Sequence, residues 1–411
     1  APQGNNGQVL FDPKNIEIIS SVVNPSVLSL TDTLAANRSL GATLTKELLN
    51  STTSSSLNRI LVTSETDSTV ATSAGSIKVF NATTGALVSS LTGSSANDKV
   101  GVGALTDLGA GKYTFTNSWW GSAGTLTNAK GAVTWFDGTL GVSGVVSSSN
   151  SLVGTATGDQ VGTTGVTALT NGNYIVRSAL WGGGTTTTAK GAITWGSGIF
   201  GVMGNVSSTN SLVGGAAGDN VGSDTITSLG NGNYVVKSPM WGSANGTTNA
   251  GKGAVTWING STGLIGTLGS TNSLVGGALN DRVGANGITV LTNGNYLVLS
   301  ANWSTAKGAI TWGSGTSGVS GVVANTNSLV GGSNYYFVGK SAVVLNNGNA
   351  VVLSASWGSG NSSGTNPKGA VTWVNGSTGI TGTLNNTNSL VGTLTNDQVG
   401  ATGITALSNG N

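Results

Sequence analysis

A tryptophan and a lysine recur together along this chain: Trp120 with Lys130, Trp181 with Lys190, Trp241 with Lys252, Trp303 with Lys307 and Trp357 with Lys368. An ammonium group over an indole face is attracted by the ring quadrupole, so a ring of such pairs offers cation–π contacts or a surface for sugars and anions. The plainer reading is structural: each lysine covers its indole with the methylene stem and keeps the charged head in water. These residues are the candidate ligand-binding set.

An aspartate recurs as well, at Asp98, Asp159, Asp219, Asp281 and Asp397. A single aspartate per repeat caps a turn through nearby backbone N–H groups. A calcium loop would need several oxygen ligands close together, and no D-x-D-x-D-G run occurs. Spaced by whole repeats, these acids are also too dispersed to act as a facing hydrolytic pair. Histidine and cysteine are absent, which removes the commonest general base and metal ligand, and any thiolate or disulfide. The segment "GTTNAGKG" at 246–253 approaches the phosphate-binding G-x-x-x-x-G-K-[ST] but lacks its final hydroxyl and falls in a predicted hairpin. The expectation is a protein that is not an enzyme and holds no cofactor or metal.

The elements that position these residues belong to a repeat. "NSLVG" begins at Asn150, Asn210, Asn272, Asn327 and Asn388, separations of 60, 62, 55 and 61 residues. A period of this size signals an array or a propeller. In residues 161–214, "GVTAL" is the first strand-like run, "YIVRSALW" the second, "GAITW" the third and "GVMGNVSS" the fourth. "TNGN" between the first two signals a tight hairpin, with positive φ expected at both central residues. The runs are too short and too β-branched for helices. A second tryptophan set, Trp135, Trp195, Trp257, Trp312 and Trp373, ends the third strand and is expected to pack between repeats.

The predicted fold is therefore all-β: a β-propeller of four-stranded antiparallel blades, with a β-solenoid as the rival. Residues 1–56 form an N-terminal extension, with a short helix over 44–50 capped by Thr45. Blades cover 100–160, 161–220, 221–282, 283–337 and 338–398. A sixth, composite blade joins 57–98 to 399–411, because 57–98 lacks a clear first strand and "VGATGITALSNGN" supplies one. Residues 403–407 then pair with the strand near Ile60–Thr63. The alternative is that any crop of a longer array shows such a match.

Only 7% of residues are charged and the formal net charge is +2, so bulk electrostatics predict no nucleic-acid partner. No apolar run is long enough to span a membrane as a helix. The composition, poor in charge and without cysteine, suits a protein outside the cell.

The segment "GQVLFDPKNIEI" at 7–18 resembles the "…LDPKNI…" signature of filamentous-haemagglutinin-like exoproteins of Gram-negative bacteria, often exported by two-partner secretion. The Gly/Asn/Thr repeats are similar to the tandem repeats of unassigned function in such exoproteins and to other sixty-residue bacterial repeats thought to form propellers. The family's N-terminal secretion domain is not found in this sequence. The resemblance implies a secreted or cell-surface protein that adheres or builds matrix, with a polysaccharide, a cell surface or its own copies as partner. It supplies no catalytic residue. Two functional classes stay open: an adhesin-like binding module, and a structural spacer or matrix unit without a small ligand.

Overall fold

Alternating β-branched and aromatic residues on either side of each Asn-Gly turn become the first two strands of a repeat. The computed structural model describes residues 10–12, 15–18, 28–30, 45–50, 55–243, 250–359 and 365–407. They are all-β, with sheets of four or five strands, one for each repeat and one ahead of them. A three-stranded sheet of Leu10–Asp12, Asn15–Ile18 and Leu28–Leu30 lies in the N-terminal region. The chain divides into two compact units, residues 1–184 with 194–207 and residues 185–193 with 208–411.

The fourth repeat shows the pattern within one unit. Gly287–Val290 pairs antiparallel with Tyr296–Ser300, which pairs antiparallel with Ala309–Gly313. The turn between the first two strands keeps positive φ only at Gly294 (+83°), with Gly294 N–H donating to Leu291 O. Asn293 stays at negative φ, so the turn has a left-handed glycine after it and not the expected two left-handed central residues. Every residue of Tyr296–Ser300 is buried. The strand therefore lacks the alternation of a sheet with one wet face.

The fourth strand is not the one read from the sequence. Leu329–Val330, from "NSLVG", pairs antiparallel with Ala309–Gly313. The run expected to be fourth contributes Gly321–Val322, which leaves its own repeat and pairs in parallel with Leu274–Val275 of the repeat before. The same crossing occurs at Gly204–Asn205 onto Leu152–Val153, Gly266–Thr267 onto Leu212–Val213, and Gly382–Thr383 onto Leu329–Val330. Gly144–Val145 crosses onto Leu87–Thr92 of the leading sheet.

The leading sheet also corrects two expectations. Residues 45–50 form a strand, Thr45–Asn50, and not a helix. That strand pairs with Ser55–Ser64 in the register Thr45↔Val62, Lys46↔Leu61 and Glu47↔Ile60. A segment this short has little helical stability of its own, and an adjacent strand edge outweighs its propensity. The edge at Ile60–Thr63 is thus occupied from within the N-terminal region. Residues 403–407 form no strand. "SNGN" at 408–411 lies outside the described residues.

Candidate functional site

Four letters of "NSLVG" have a structural task, seen at Asn327–Gly331. Asn327 Oδ1 accepts from Ala324 N–H at 2.9 Å and its Nδ2 donates to Val322 O at 2.9 Å, holding the turn after the crossing strand. Ser328 Oγ lies 2.6 Å from Thr311 Oγ1 in a fully buried pair, so two hydroxyls satisfy each other between the third and fourth strands. Leu329 is buried in the repeat's core. Gly331 leaves room for the main chain of the candidate lysine: a Cβ there would stand 2.1 Å from Lys307 O.

That carbonyl explains why the lysine position is fixed. Lys130, Lys190, Lys252, Lys307 and Lys368 each accept, through the backbone O, the N–H of the valine opening the next repeat: Val161, Val221, Val283, Val338 and Val399. Three of the lysine stems lie over the residue after the tryptophan. A Cβ on Gly121, Gly242 or Gly358 would come within about 3 Å of the Cβ, Cγ and Cδ of Lys130, Lys252 or Lys368. Trp120, Trp181, Trp241, Trp303 and Trp357 are all half-buried. No lysine of the candidate set makes a cation–π contact with its tryptophan among the described residues; that contact is made by Lys99, 4.1 Å from the ring centroid of Trp119. Neither of those two was singled out in the sequence, where the doubled Trp119–Trp120 was the available signal.

The aspartates act as latches between repeats. Asp159 is buried; its Oδ2 accepts from Thr155 N–H and Ala156 N–H at 2.8 Å, and its Oδ1 accepts from Gly182 N–H at 3.0 Å. Gly182 directly follows Trp181, so the carboxylate ties one repeat's connection to the next repeat's tryptophan turn. Asp98 reaches Gly121 N–H, Asp219 reaches Gly242 N–H and Asp281 reaches Ser304 N–H in the same way. The residue after each aspartate takes a left-handed conformation: Lys99, Gln160, Asn220, Arg282 and Gln398 have φ between 45° and 52°. The fifth connection has Tyr336 in the aspartate's place, and its ring packs on Trp357 with centroids 5.6 Å apart. An aromatic contact replaces the polar latch there.

At a second junction the sequence pointed to the tryptophan but not to the Asn-Gly-Asn turn that shares its acceptor. Trp257 Nε1 donates to Gly315 O of the following repeat at 3.1 Å, and Asn231 and Asn233 of the Asn-Gly-Asn turn donate to the same carbonyl at 2.9 Å. Trp312, Asn293 and Asn295 converge identically on Gly376 O, each at 2.9 Å. Trp135 Nε1 reaches Gly198 O at 3.1 Å. Trp135, Trp257 and Trp312 therefore pack between repeats as expected. Trp373, with no such partner turn described, is 53% exposed.

One candidate pair departs from the rest. In "NWSTAK", Ser304, Thr305 and Ala306 all have positive φ, from 51° to 59°. Beside this left-handed turn opens a cleft of about 240 Å³, lined by Leu279, Asp281, Trp303, Ser304, Thr305 and Val323. The segment 246–253 falls partly outside the described residues, and Gly253 leads into the strand Ala254–Ile258, not a helix.

These contacts define an all-β tandem-repeat protein whose recurring polar residues join one repeat to the next. The chain belongs to the family described as Repeat of unknown function (DUF5650), whose model matches residues 107–163, 168–223, 228–285, 290–340 and 344–401. No curated protein matches the sequence. Among solved structures the chain is similar to one described as a crystal structure of the eukaryotic initiation factor. That likeness has 7% identity, covers 89% of this chain and 80% of that one, and has a TM-score of 0.31, too low to carry an argument. No helix among the described residues is long and apolar enough to cross a membrane.

Proposed function

We propose that this chain is a non-enzymatic structural array, a spacer or matrix unit built from repeats that lock into their neighbours, working outside the cell. One observation carries the reading: in successive repeats the aspartate, the lysine carbonyl and the third-strand tryptophan are engaged in holding the repeats together. The stems of Lys130, Lys252 and Lys368 lie over the glycines that follow their tryptophans. The low charge and the resemblance of residues 7–18 to surface exoproteins support an extracellular setting.

A propeller arrangement of the sheets belongs to the same proposal, supported by the four antiparallel strands of each repeat. Small-angle scattering from the full chain tests it: an elongated profile is incompatible with a closed ring. The array reading is tested by Asp219→Ala. The change removes the acceptor shared by Ala216 N–H and Gly242 N–H. The urea midpoint should fall and the Gly242 amide should exchange faster. An unaltered midpoint would refute the latch.

Adhesion to polysaccharide is a second reading, and one place favours it: the cleft beside Trp303.

A further inference from the structure

We propose that the cleft beside Trp303 is a binding site for one uncharged, hydroxyl-rich ring, such as a terminal sugar; this rests on the second, adhesive reading and not on the array itself.

The cleft exists because the fourth repeat has the shortest loop. Three residues separate Trp303 from Lys307, whereas eight to ten separate the corresponding pairs elsewhere. In the first and fifth repeats the second residue after the tryptophan reaches back to the preceding connection. Ser122 Oγ donates to Asn97 O at 2.8 Å, and Ser359 Oγ donates to Tyr335 O at 3.1 Å. In the second repeat the loop lies against the connection so closely that a Cβ on Gly158 would be 2.9 Å from the Cα of Gly184. The short loop closes as a left-handed turn, with Ala306 N–H donating to Asn302 O and Gly308 N–H to Trp303 O. The space over Leu279 and Asp281 stays open.

Its lining suits a sugar ring. Trp303 packs against the core on one side and lines the cleft, and an indole offers an apolar surface to the C–H groups of a pyranose. The indole N–H of Trp303 and the hydroxyls of Ser304 and Thr305 make no hydrogen bond to any described residue, so donors and acceptors stand ready at the rim. Asp281 is 4% exposed and its oxygens already accept Ala278 N–H and Ser304 N–H, so they are engaged within the protein. At the comparable cleft beside Trp257 the indole N–H is already donated to Gly315 O, and Asn259 Oδ1 and the Asn272 amide are engaged within the protein, so the tryptophan there has no free donor to offer. At about 240 Å³ the Trp303 cleft is smaller than the roughly 300 Å³ at which drug-sized pockets begin, so it holds a single ring. Affinity for one ring should be on the order of 1 mM.

Saturation-transfer NMR on the full chain tests the proposal, with methyl α-glucoside, methyl β-galactoside and N-acetylglucosamine as probes and choline as the cationic control. At least one sugar should show transfer to its ring protons, falling at least tenfold in Trp303→Ala. A second variant keeps the tryptophan: Ser304–Ala306 replaced by the eight-residue segment of the second repeat, residues 182–189. It should fold with an unchanged urea midpoint, cover the cleft and lose the signal. Transfer that survives in either folded variant would overturn the site. So would the absence of transfer from all three sugars to the wild type, or saturable binding of choline in their place. The array reading is untouched by these outcomes, since it is judged by the midpoint of Asp219→Ala.

Discussion

Asp159 shows what one recurring residue does. Its carboxylate gathers three backbone N–H groups from two repeats while almost fully buried. Asp159→Ala leaves those donors without an acceptor, and should lower stability by about 1–3 kcal/mol in urea denaturation. Asp137 provides a pH signature. Burial by itself raises its pKa, but the Lys112 ammonium and the Thr139 hydroxyl and N–H outweigh it and hold the pKa at about 2. A carboxylate depressed in the folded state contributes stability above its unfolded pKa, which is lost as pH falls through the folded value. Stability should therefore decline between about pH 4 and pH 2, and Asp137→Asn should flatten that part of the curve of urea midpoint against pH. The turn-capping role of the aspartates was legible in the sequence, because a lone carboxylate among Ser, Thr and Gly has few other partners. The reach of its second oxygen into the next repeat was not, since the two lie 23 residues apart.

At the scale of the element, the glycines of "NSLVG" decide whether the fourth strand can form. A Cβ on Gly276 would stand 2.2 Å from Lys252 O and 2.7 Å from the Asp281 Cβ, all inside a packed edge. Gly276→Ala should cost about 3 kcal/mol by overpacking. Gly266 is the control: its φ is +109° but nothing lies within 4 Å of a Cβ there. Gly266→Ala should cost about 1–2 kcal/mol, from backbone strain alone. Equal losses in urea midpoint would show that space is not what fixes Gly276. The strand assignments failed where pairing is non-local. "GVMGNVSS" has strand composition, but nothing in it indicates that Gly204–Asn205 pairs with Leu152–Val153 of the preceding repeat.

At the scale of the whole molecule, a crossing strand, an aspartate latch and a tryptophan junction make repeat stability a nearest-neighbour property. Trp312→Phe keeps an aromatic ring, though a smaller one, and removes the donor to Gly376 O. The amides of the fifth repeat should then lose protection in hydrogen exchange while those of the third keep theirs. A uniform loss across both would argue against pairwise coupling.

Composition and period by themselves determined that this protein is all-β, repeated about every sixty residues, with tryptophans in register and without histidine or cysteine chemistry. These are local properties: β-branched runs, Asn-Gly turns and residue absences need no partner to be recognised. The tertiary structure alone decided that the Leu-Val of "NSLVG" is the fourth strand, that residues 45–50 are a strand beside Ser55–Ser64, and that the Trp303 turn leaves a cleft. Each of those depends on which backbone edge or loop lies opposite. A hydrogen-bonding edge accepts any strand that reaches it, and loop length matters only once the neighbouring repeat is in place.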